Sequence, residues 1–245
     1  MSRTSVVTGA NRGLGFATAR ALAEAGDTVV IAARDEAAAR TAAEKLNAEG
    51  HSARFVRLDV DSPASARAAA EQVGQWGDHI DVLVNNAGIL PEATDAEQRE
   101  FAGVELFEAT FRTNVFGPVA VIEAFLPLLR ASGAGRVVNV SSRMGSLTDH
   151  GDPESPYHGT AVPAYRSSKA ALNSITVSLA NQLAGTPVKV TSVCPGFVQT
   201  ELTPGNKGQA PLTPEQAVAP ILAAASLPAH APSGTFIDRE GPVAW

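Results

Sequence analysis

The sequence contains very little cysteine, and its one thiol, Cys194, excludes a disulfide within these 245 residues. A single cysteine and the absence of a recognisable targeting segment predict a protein of the reducing cytoplasm. The five histidines show no ligand-like spacing among themselves or with Cys194. No structural zinc or other metal site is therefore expected.

Excess positive charge is also lacking. Lysine and arginine number 19 against 25 aspartates and glutamates, which gives a formal net charge of −6, and the basic residues are scattered along the chain. No nucleic-acid partner is expected, because its phosphates require a basic patch. Long apolar runs are missing as well, since Glu123 and Pro127 interrupt the best one before it reaches the ~18 residues of a membrane span. No membrane partner is therefore predicted.

The sequence does contain a regular alternation of short β-branched runs with longer segments rich in alanine and leucine, and 44% of its residues are apolar. The predicted strands are residues 5–8, 28–33, 53–58, 82–85, 136–141, 188–194 and 235–238. The predicted helices are residues 13–25, 35–49, 63–76, 101–131 with an interruption near 114–118, 163–184 and 214–226. This alternation predicts a single α/β domain over residues 1–245, a doubly wound parallel sheet of about seven strands with helices on both faces.

The first predicted strand leads directly into the sequence TGANRGLG, which runs from Thr8 to Gly15. Gly9 permits a tight turn, and Gly13 and Gly15 allow the backbone to approach a pyrophosphate closely. A helix that begins here directs unpaired N–H groups and a positive dipole end at the anion. This strand–turn–helix context predicts a dinucleotide site in a domain of Rossmann type, the alternative being a glycine-rich turn without a ligand.

The spacing of this turn is T-G-x-x-x-G-x-G, and further motifs follow it in order along the chain. They are DV at 59–60, NNAG at 85–88, TN at 113–114, NVSS at 139–142, Y-x-x-x-K at 165–169 and PG at 195–196. Together these motifs resemble those of the short-chain dehydrogenase/reductase family of oxidoreductases. The resemblance implies a nicotinamide cofactor bound by Gly9, Asn11, Arg12, Gly13, Leu14, Gly15, Arg34, Asp59, Val60, Asn86, Ala87, Gly88, Tyr165, Lys169, Pro195, Gly196, Val198 and Thr200.

The residues after the second predicted strand bear on which nicotinamide cofactor is bound. An acidic residue there bonds the free ribose 2′-hydroxyl of NAD, whereas an arginine accommodates the 2′-phosphate of NADP. Ala33 ends the strand and Arg34 follows it, while Arg12 in the glycine turn adds a second cation. NADP(H) is therefore expected in preference to NAD(H). Asp35 argues against this unless it caps the next helix, and a solvated surface charge is the alternative for Arg34.

Tyr165 is one of only two tyrosines, and Lys169 follows it by four residues in a predicted helix. Positions i and i+4 lie on one face of a helix, so the ammonium is expected beside the phenol. A free phenol has a pKa near ~10, and a nearby cation lowers that pKa. The pair is therefore predicted to act in acid/base catalysis, the alternative being a buried tyrosine beside a lysine that extends to solvent.

Ser142 and Asn114 complete the catalytic set that the resemblance implies. Ser142 directly follows the fifth predicted strand, where its hydroxyl is expected to bond the substrate oxygen. Ser141 is the rival, and the two serines are expected on opposite faces if the strand continues through both; the resemblance favours Ser142. Asn114 lies where the family carries an asparagine in an interrupted helix, which helps to place a water near the lysine.

Ser142 and Tyr165 are 23 residues apart (165 − 142), a longer interval than in many short members of the family. The intervening TDHGDPESPYHGTAVP, residues 148–163, resembles a shortened insertion of the carbonyl reductase branch, and CPGFVQTEL at 194–202 points the same way. Some members of this branch are monomers, so a homo-oligomer and a monomer both remain open. The candidates for substrate contact are Met144, His150, Tyr157, His158 and Phe197, although ordinary exposed loop chemistry is expected for most of them.

The resemblance predicts an NADPH-dependent oxidoreductase that reduces the carbonyl group of a small ketone or aldehyde to an alcohol, with Tyr165 as proton donor. One alternative is a non-catalytic, NADP(H)-sensing protein with the same fold, and another is an epimerase or dehydratase on this scaffold. The presence of Ser142, Tyr165 and Lys169 together favours the enzyme, because a sensor would not need them.

Overall fold

The computed structural model describes residues 2–95 and 101–245. Its strands are β1 (Thr4–Thr8), β2 (Thr28–Ala33), β3 (Ala53–Arg57), β4 (Val82–Asn85), β5 (Arg136–Val140), β6 (Lys189–Val193), β7 (Thr235–Asp238) and β8 (Gly241–Pro242). They form one sheet in the order β3-β2-β1-β4-β5-β6-β7-β8, with β1 to β7 parallel and β8 antiparallel to β7. The doubly wound, mostly parallel sheet predicted from the sequence is confirmed.

Strand β8 is an addition to the expected set of about seven strands. The Asp238 carboxylate accepts hydrogen bonds from the backbone N–H groups of Glu240, at 2.8 Å, and Gly241, at 3.2 Å. With φ at +126°, Gly241 turns the chain back along β7. The sequence could not reveal a strand of two residues, because two positions are too few to show a hydrophobic period.

The helices cover both faces of the sheet. They are α1 (Gly13–Glu24), α2 (Glu36–Ala48), α3 (Pro63–Gly74), α4 (Val104–Phe111), α5 (Gly117–Ala131), α6 (Leu147–Gly151), α7 (Pro163–Gln182), α8 (Asn206–Gln209), α9 (Pro214–Ala217) and α10 (Ala219–Ala225). Two predicted helix starts are confirmed. Asp35 caps α2 by accepting from the Ala38 N–H at 3.1 Å, and Thr213 and Gln216 form a capping box on α9.

Two of the long predicted helices are interrupted. The helix predicted over 101–131 consists of α4, a π-helical turn over Arg112–Phe116, and α5, so its interruption falls where it was expected. The continuous helix predicted over 214–226 is wrong, because it separates into α9 and α10 at Val218. Pro220 has no N–H to donate to the carbonyl of Gln216, which removes one bond of a continuous helix at that point.

Each face of the sheet carries its own apolar core. One core lies between the sheet and α3, α5 and α7, and its largest members include Leu58, Leu83, Phe125, Leu129 and Leu183. The other lies between the sheet and α1, α2 and α10, and includes Leu22, Ile31, Leu46 and Ile221. The central strands are therefore apolar on both sides, as expected for parallel strands between two layers of helices.

One helical stretch among the described residues, Val104–Ala131, is long and apolar enough to cross a membrane by length and composition alone. Half of its most apolar window, 50%, is buried inside the fold. Phe125 and Leu129 belong to the core described above. Packing against the sheet therefore accounts for the apolar character of this stretch.

The strand order reverses at β1, which lies between β2 and β4. In doubly wound sheets the loops that leave the carboxyl ends of such strands diverge to opposite faces, and a crevice opens between them. The glycine-rich turn leaves the end of β1, and the NNAG segment leaves the end of β4. These two loops define where the candidate site lies.

Candidate functional site

The glycine-rich turn joins β1 to α1. Gly9 has a φ of +63° and Gly13 a φ of +54°, which is the left-handed region that favours glycine. A Cβ atom on Gly15 would lie 2.4 Å from the carbonyl oxygen of Gly9 and 2.5 Å from the amide nitrogen of Asn86. Glycine at these three positions therefore keeps the turn tight and leaves bare backbone at the start of the helix.

The N-terminus of α1 suits an anion. Arg12 stands at the N-cap with an exposed side chain that caps none of the described N–H groups, and the first turn holds no acidic residue. The first N–H groups and the helix dipole therefore favour a negative charge. Asn11 and Leu14 are half-buried in the same turn. With Gly13 offering bare backbone, this turn fits the pyrophosphate of a dinucleotide.

Thr8, the last residue of β1, fastens the glycine turn to the NNAG segment. Its hydroxyl accepts hydrogen bonds from the N–H groups of Asn86, at 3.0 Å, and Ala87, at 3.1 Å. The Asn86 side-chain amide donates back to the Thr8 carbonyl at 2.8 Å. Sequence reasoning did not assign Thr8 to the site, although it is the first letter of the motif. These three hydrogen bonds hold the glycine turn and the NNAG segment together.

The end of β2 presents arginine and not a free carboxylate. Ala33 is buried, and Arg34 beside it is exposed, as is Arg12 in the glycine turn. The Asp35 carboxylate accepts from the Ala38 N–H and so is engaged as a helix cap. Asp35 is therefore occupied, and Glu36, the next residue, pairs with Arg40 at 3.4 Å.

Asp59 and Val60 come shortly after the end of β3. The Asp59 carboxylate accepts from the N–H of Asp61 at 3.1 Å, and the Asp59 N–H donates to the Ser65 hydroxyl at 3.0 Å. Val60 packs at the start of α5, where a Cβ on Gly117 would lie 3.1 Å from its side chain. These contacts fix the backbone of both residues.

Tyr165 and Lys169 lie one turn apart on α7, close to the end of β5. The Lys169 ammonium donates to the carbonyl oxygen of Val140 at 2.8 Å, and its nitrogen lies 5.5 Å from the centroid of the Tyr165 ring. Tyr165 is 8% exposed and Lys169 is 5% exposed. The structure thus brings the two side chains together, with the ammonium over the ring face.

Burial governs the protonation of this pair. It raises the pKa of Tyr165 above its ordinary value; the nearby Cys194 raises that pKa further, and a hydrogen bond with the Ser142 side chain lowers it in part. Burial also lowers the pKa of Lys169 to about 8. The expected lowering of the tyrosine pKa by the lysine is therefore not found, because desolvation has the larger effect.

The two serines after β5 occupy different environments. Ser141 is buried, and its hydroxyl donates to the carbonyl of Lys169 at 3.4 Å. Ser142 is half-buried and accepts from the Met144 N–H at 3.2 Å, at the start of a 3₁₀ turn over Arg143–Gly145. The side chain of Ser142 lowers the pKa of Tyr165 in part, whereas the Ser141 hydroxyl is engaged with the Lys169 carbonyl, so Ser142 is favoured over Ser141 as the partner of the tyrosine.

Asn114 lies fully buried in the π-helical turn. Its amide oxygen accepts from the Ile89 N–H at 2.9 Å, and its amide nitrogen donates to the Ile89 carbonyl at 2.9 Å and to the Ser168 hydroxyl at 3.2 Å. A Cβ on Gly88 would lie 3.3 Å from the Asn114 amide oxygen and 3.8 Å from the Lys169 nitrogen. Asn114 and the Lys169 ammonium therefore both lie beside Gly88, and Asn114 holds Ile89, the residue that follows the NNAG segment.

The loop after β6 covers the glycine turn. It carries four of the predicted cofactor residues, Pro195, Gly196, Val198 and Thr200. An isolated parallel bridge to Leu212 closes this loop at Val198. The Thr200 side chain lies 3.5 Å from where a Cβ on Gly13 would be. The loop is thus in place to contact a ligand held at the start of α1.

A buried arginine of α7, Arg166, binds the insertion to that helix. Arg166 is 3% exposed, and its guanidinium donates to the carbonyls of Tyr157, at 2.8 Å, and Thr160, at 2.8 Å. Arg143, next to Ser142, forms a bidentate ion pair with Asp149 of α6 at 2.8 Å. Sequence reasoning did not identify either arginine, because their acceptors lie in the insertion, whose sequence has no periodic pattern.

The predicted substrate-contact residues do not share one environment. Met144 is half-buried beside Ser142, and Tyr157 packs its ring against the Arg143 guanidinium, 5.1 Å away. His150 and His158 are exposed. The Nδ1 atom of His158 is hydrogen-bonded to the backbone carbonyl of His150 at 2.8 Å. Phe197 is 47% exposed in the loop after β6. The two histidines therefore hold the insertion together on its outer side.

The chain is similar to known proteins in both sequence and structure. A family model described as short chain dehydrogenase matches residues 3–210. Carbonyl reductase [NADPH] 1 of Mus musculus is 33% identical, covering 98% of this chain and 98% of its own, and (+)-neomenthol dehydrogenase of Arabidopsis thaliana is 35% identical, covering 97% and 96%. The crystal structure of NADPH-bound carbonyl reductase from chicken fatty liver superposes with a TM-score of 0.84 at 28% identity, over 100% of this chain and 99% of that one.

Proposed function

Because this chain belongs to the short-chain dehydrogenase family, we propose that it is an NADPH-dependent carbonyl reductase in which Tyr165 donates the proton. The similarity to carbonyl reductases and to a neomenthol dehydrogenase supports a carbonyl compound or its alcohol as substrate. One observation carries the proposal: a single segment, NNAG, contacts the glycine turn through Asn86 and lies beside Lys169 through Gly88. The anion-binding turn and the acid/base pair are therefore parts of one site.

The chain's own residues bind, orient and protonate the substrate. When bound, the nicotinamide cofactor supplies or accepts the hydride. The Ser142 side chain is near enough to Tyr165 to lower its pKa, so the two hydroxyls can bond one carbonyl oxygen. Tyr165 transfers its proton to that oxygen as negative charge develops there, and Ser142 stabilises the same charge through its hydrogen bond.

The protonation states of Tyr165 and Lys169 suit reduction of the carbonyl group. Burial keeps Tyr165 a neutral phenol at neutral pH, which is the form that can donate a proton. Lys169 is mostly an ammonium there, since its pKa is about 8. One of its three N–H groups bonds Val140, which leaves two N–H groups for a ribose hydroxyl and the phenol oxygen.

A substrate screen tests the proposed reaction. Purified protein with NADPH is tested against ketones, aldehydes and quinones, and the loss of cofactor absorbance is followed. We expect turnover with at least one carbonyl class and formation of the matching alcohol. Tight NADPH binding without any turnover across the panel would contradict the proposal and favour a cofactor-sensing protein.

Arg34→Asp is expected to weaken NADPH binding by about 10- to 100-fold, the equivalent of one lost charge-assisted hydrogen bond. NADH binding is expected to change by less than about threefold, because NADH lacks the 2′-phosphate. Both dissociation constants are measured by titration of cofactor fluorescence. Arg67→Asp, an exposed arginine on α3, is the matched control, and an equal loss for both cofactors in Arg34→Asp would disprove the role.

NADPH binding is also expected to weaken as the pH rises through about 8, the pKa of Lys169. Below that pH the free protein holds an ammonium that can donate to the cofactor ribose, and above it the group becomes a neutral amine. A single titrating group changes the dissociation constant by at most about tenfold per pH unit. Lys169→Met is expected to bind more weakly but to lose this pH dependence; a slope that persists in Lys169→Met would show that another group titrates.

A further inference from the structure

The helix that carries Tyr165 and Lys169 begins without a cap of its own. Val162 stands at the N-cap and has no side-chain acceptor, and Pro163 at the first helical position has no N–H. The Arg166 N–H bonds the Val162 carbonyl at 2.9 Å. The N–H groups of Ala164 and Tyr165 are therefore left for an acceptor from elsewhere in the chain.

Glu92 supplies that acceptor from 72 residues away. One carboxylate oxygen accepts from the Ala164 N–H at 2.9 Å, and the other accepts from the Tyr165 N–H at 2.7 Å. Two oxygens thus meet two unpaired N–H groups, and the negative charge lies at the positive end of the helix dipole. One of the two bonds holds the backbone of Tyr165 itself.

The segment that carries Glu92 is anchored at its other end as well. Glu92 lies in a 3₁₀ turn over Pro91–Thr94, just after Ile89. Both backbone groups of Ile89 bond the side-chain amide of Asn114, each at 2.9 Å. The segment from Gly88 to Glu92 therefore bridges the π-helical turn and the start of α7, past the Lys169 ammonium.

We propose that Glu92 is a positioning residue, which holds the first turn of α7 and so orients the Tyr165 hydroxyl toward Ser142. The expected effect on kcat rests on the proposed carbonyl reduction. The cap itself concerns only residues of the chain and is measured without cofactor or substrate. Displacement of a reacting group by about 1 Å costs as much as ~100-fold in rate, so a loosened first turn lowers kcat.

The test removes the Glu92 cap and then supplies a new cap from Val162, the N-cap residue of α7. Glu92→Ala is expected to lower kcat for a ketone by about 10- to 100-fold, with the KM for NADPH changed by less than about threefold because the glycine turn is untouched. Amide hydrogen exchange at Ala164 and Tyr165 is expected to accelerate. Glu92→Gln keeps one acceptor oxygen, so its kcat is expected to fall less than that of Glu92→Ala. It replaces Glu92→Ala in the test if that variant folds poorly. Glu71→Ala, an exposed glutamate on α3, is the matched control.

Val162→Asp in the Glu92→Ala background places an N-cap side chain on the same two N–H groups. We expect it to restore both the amide protection and most of kcat. A kcat for Glu92→Ala within twofold of the wild type would overturn the proposal, and so would restored protection without restored kcat. A wild-type chain that reduces no carbonyl would overturn the proposed function and the kinetic role together, while the exchange measurement would still decide whether Glu92 caps the helix.

Discussion

Tyr165→Phe is expected to lower kcat for ketone reduction by about 10²- to 10⁴-fold, the usual contribution of a positioned general acid. The substitution removes one oxygen and keeps the ring, so the packing of α7 against the sheet is retained. NADPH affinity is expected to stay within about threefold, because the phosphate-binding backbone at α1 is unchanged. The measurement is steady-state kinetics on the best ketone of the screen, with cofactor binding followed separately.

The chain offers a matched control in its only other tyrosine. Tyr157 stacks against Arg143 in the insertion, and Tyr157→Phe keeps that ring contact. We expect kcat for Tyr157→Phe to stay within about threefold of the wild type, since its hydroxyl has no part in the proposed proton transfer. Near-wild-type turnover in Tyr165→Phe, or equal losses in both variants, would show that the proton comes from another group.

The elements that could be predicted from the sequence are those in which the pattern is local. The glycine turn, the strands buried on both faces and the Tyr165–Lys169 spacing each depend on residues within a few positions of one another. The helix break near Asn114 and the cap at Asp35 belong to the same class. Local backbone sterics and helix geometry determine all of these, so a short window of sequence is enough.

The parts of the site that could not be predicted depend on partners far apart in the chain. The hydrogen bond between Thr8 and Asn86 joins residues 78 positions apart. The hydrogen bond by which Glu92 caps α7 at Ala164 joins residues 72 positions apart. The sequence gives the residue types on both sides but no sign that they pair. The fold is required first, since the ends of β1, β4 and the start of α7 meet only when the sheet is assembled.

The direction of the pKa shift of Tyr165 could not be predicted from the sequence either. The spacing correctly places the lysine beside the tyrosine, but a spacing does not tell how deeply the pair is buried. With both side chains less than a tenth exposed, desolvation raises the pKa of Tyr165 and lowers that of Lys169. Each shift favours the neutral form, which is the direction expected when low polarity outweighs the attraction between opposite charges.

Gly145→Ala is expected to damage both stability and catalysis, because Gly145 packs directly on the backbone of α7. An added Cβ would lie 2.6 Å from the carbonyl carbon of Lys169 and 2.7 Å from the nitrogen of Ala170. Neither backbone atom can move away without shifting the turn that bears the lysine. Overpacking of this kind costs about 1–3 kcal/mol, or roughly 2–12 °C in Tm for a chain of this size.

The same displacement moves Ser142, since Gly145 closes the 3₁₀ turn that Ser142 begins. We expect kcat to fall by up to about 100-fold, as for other shifts of about 1 Å in a reacting group. Gly151→Ala in α6 is the matched control, because a Cβ there meets no described atom within 4 Å and alanine favours the helix. If Gly145→Ala kept wild-type kcat and Tm, the contact between this turn and α7 would not be what aligns Ser142 with Tyr165.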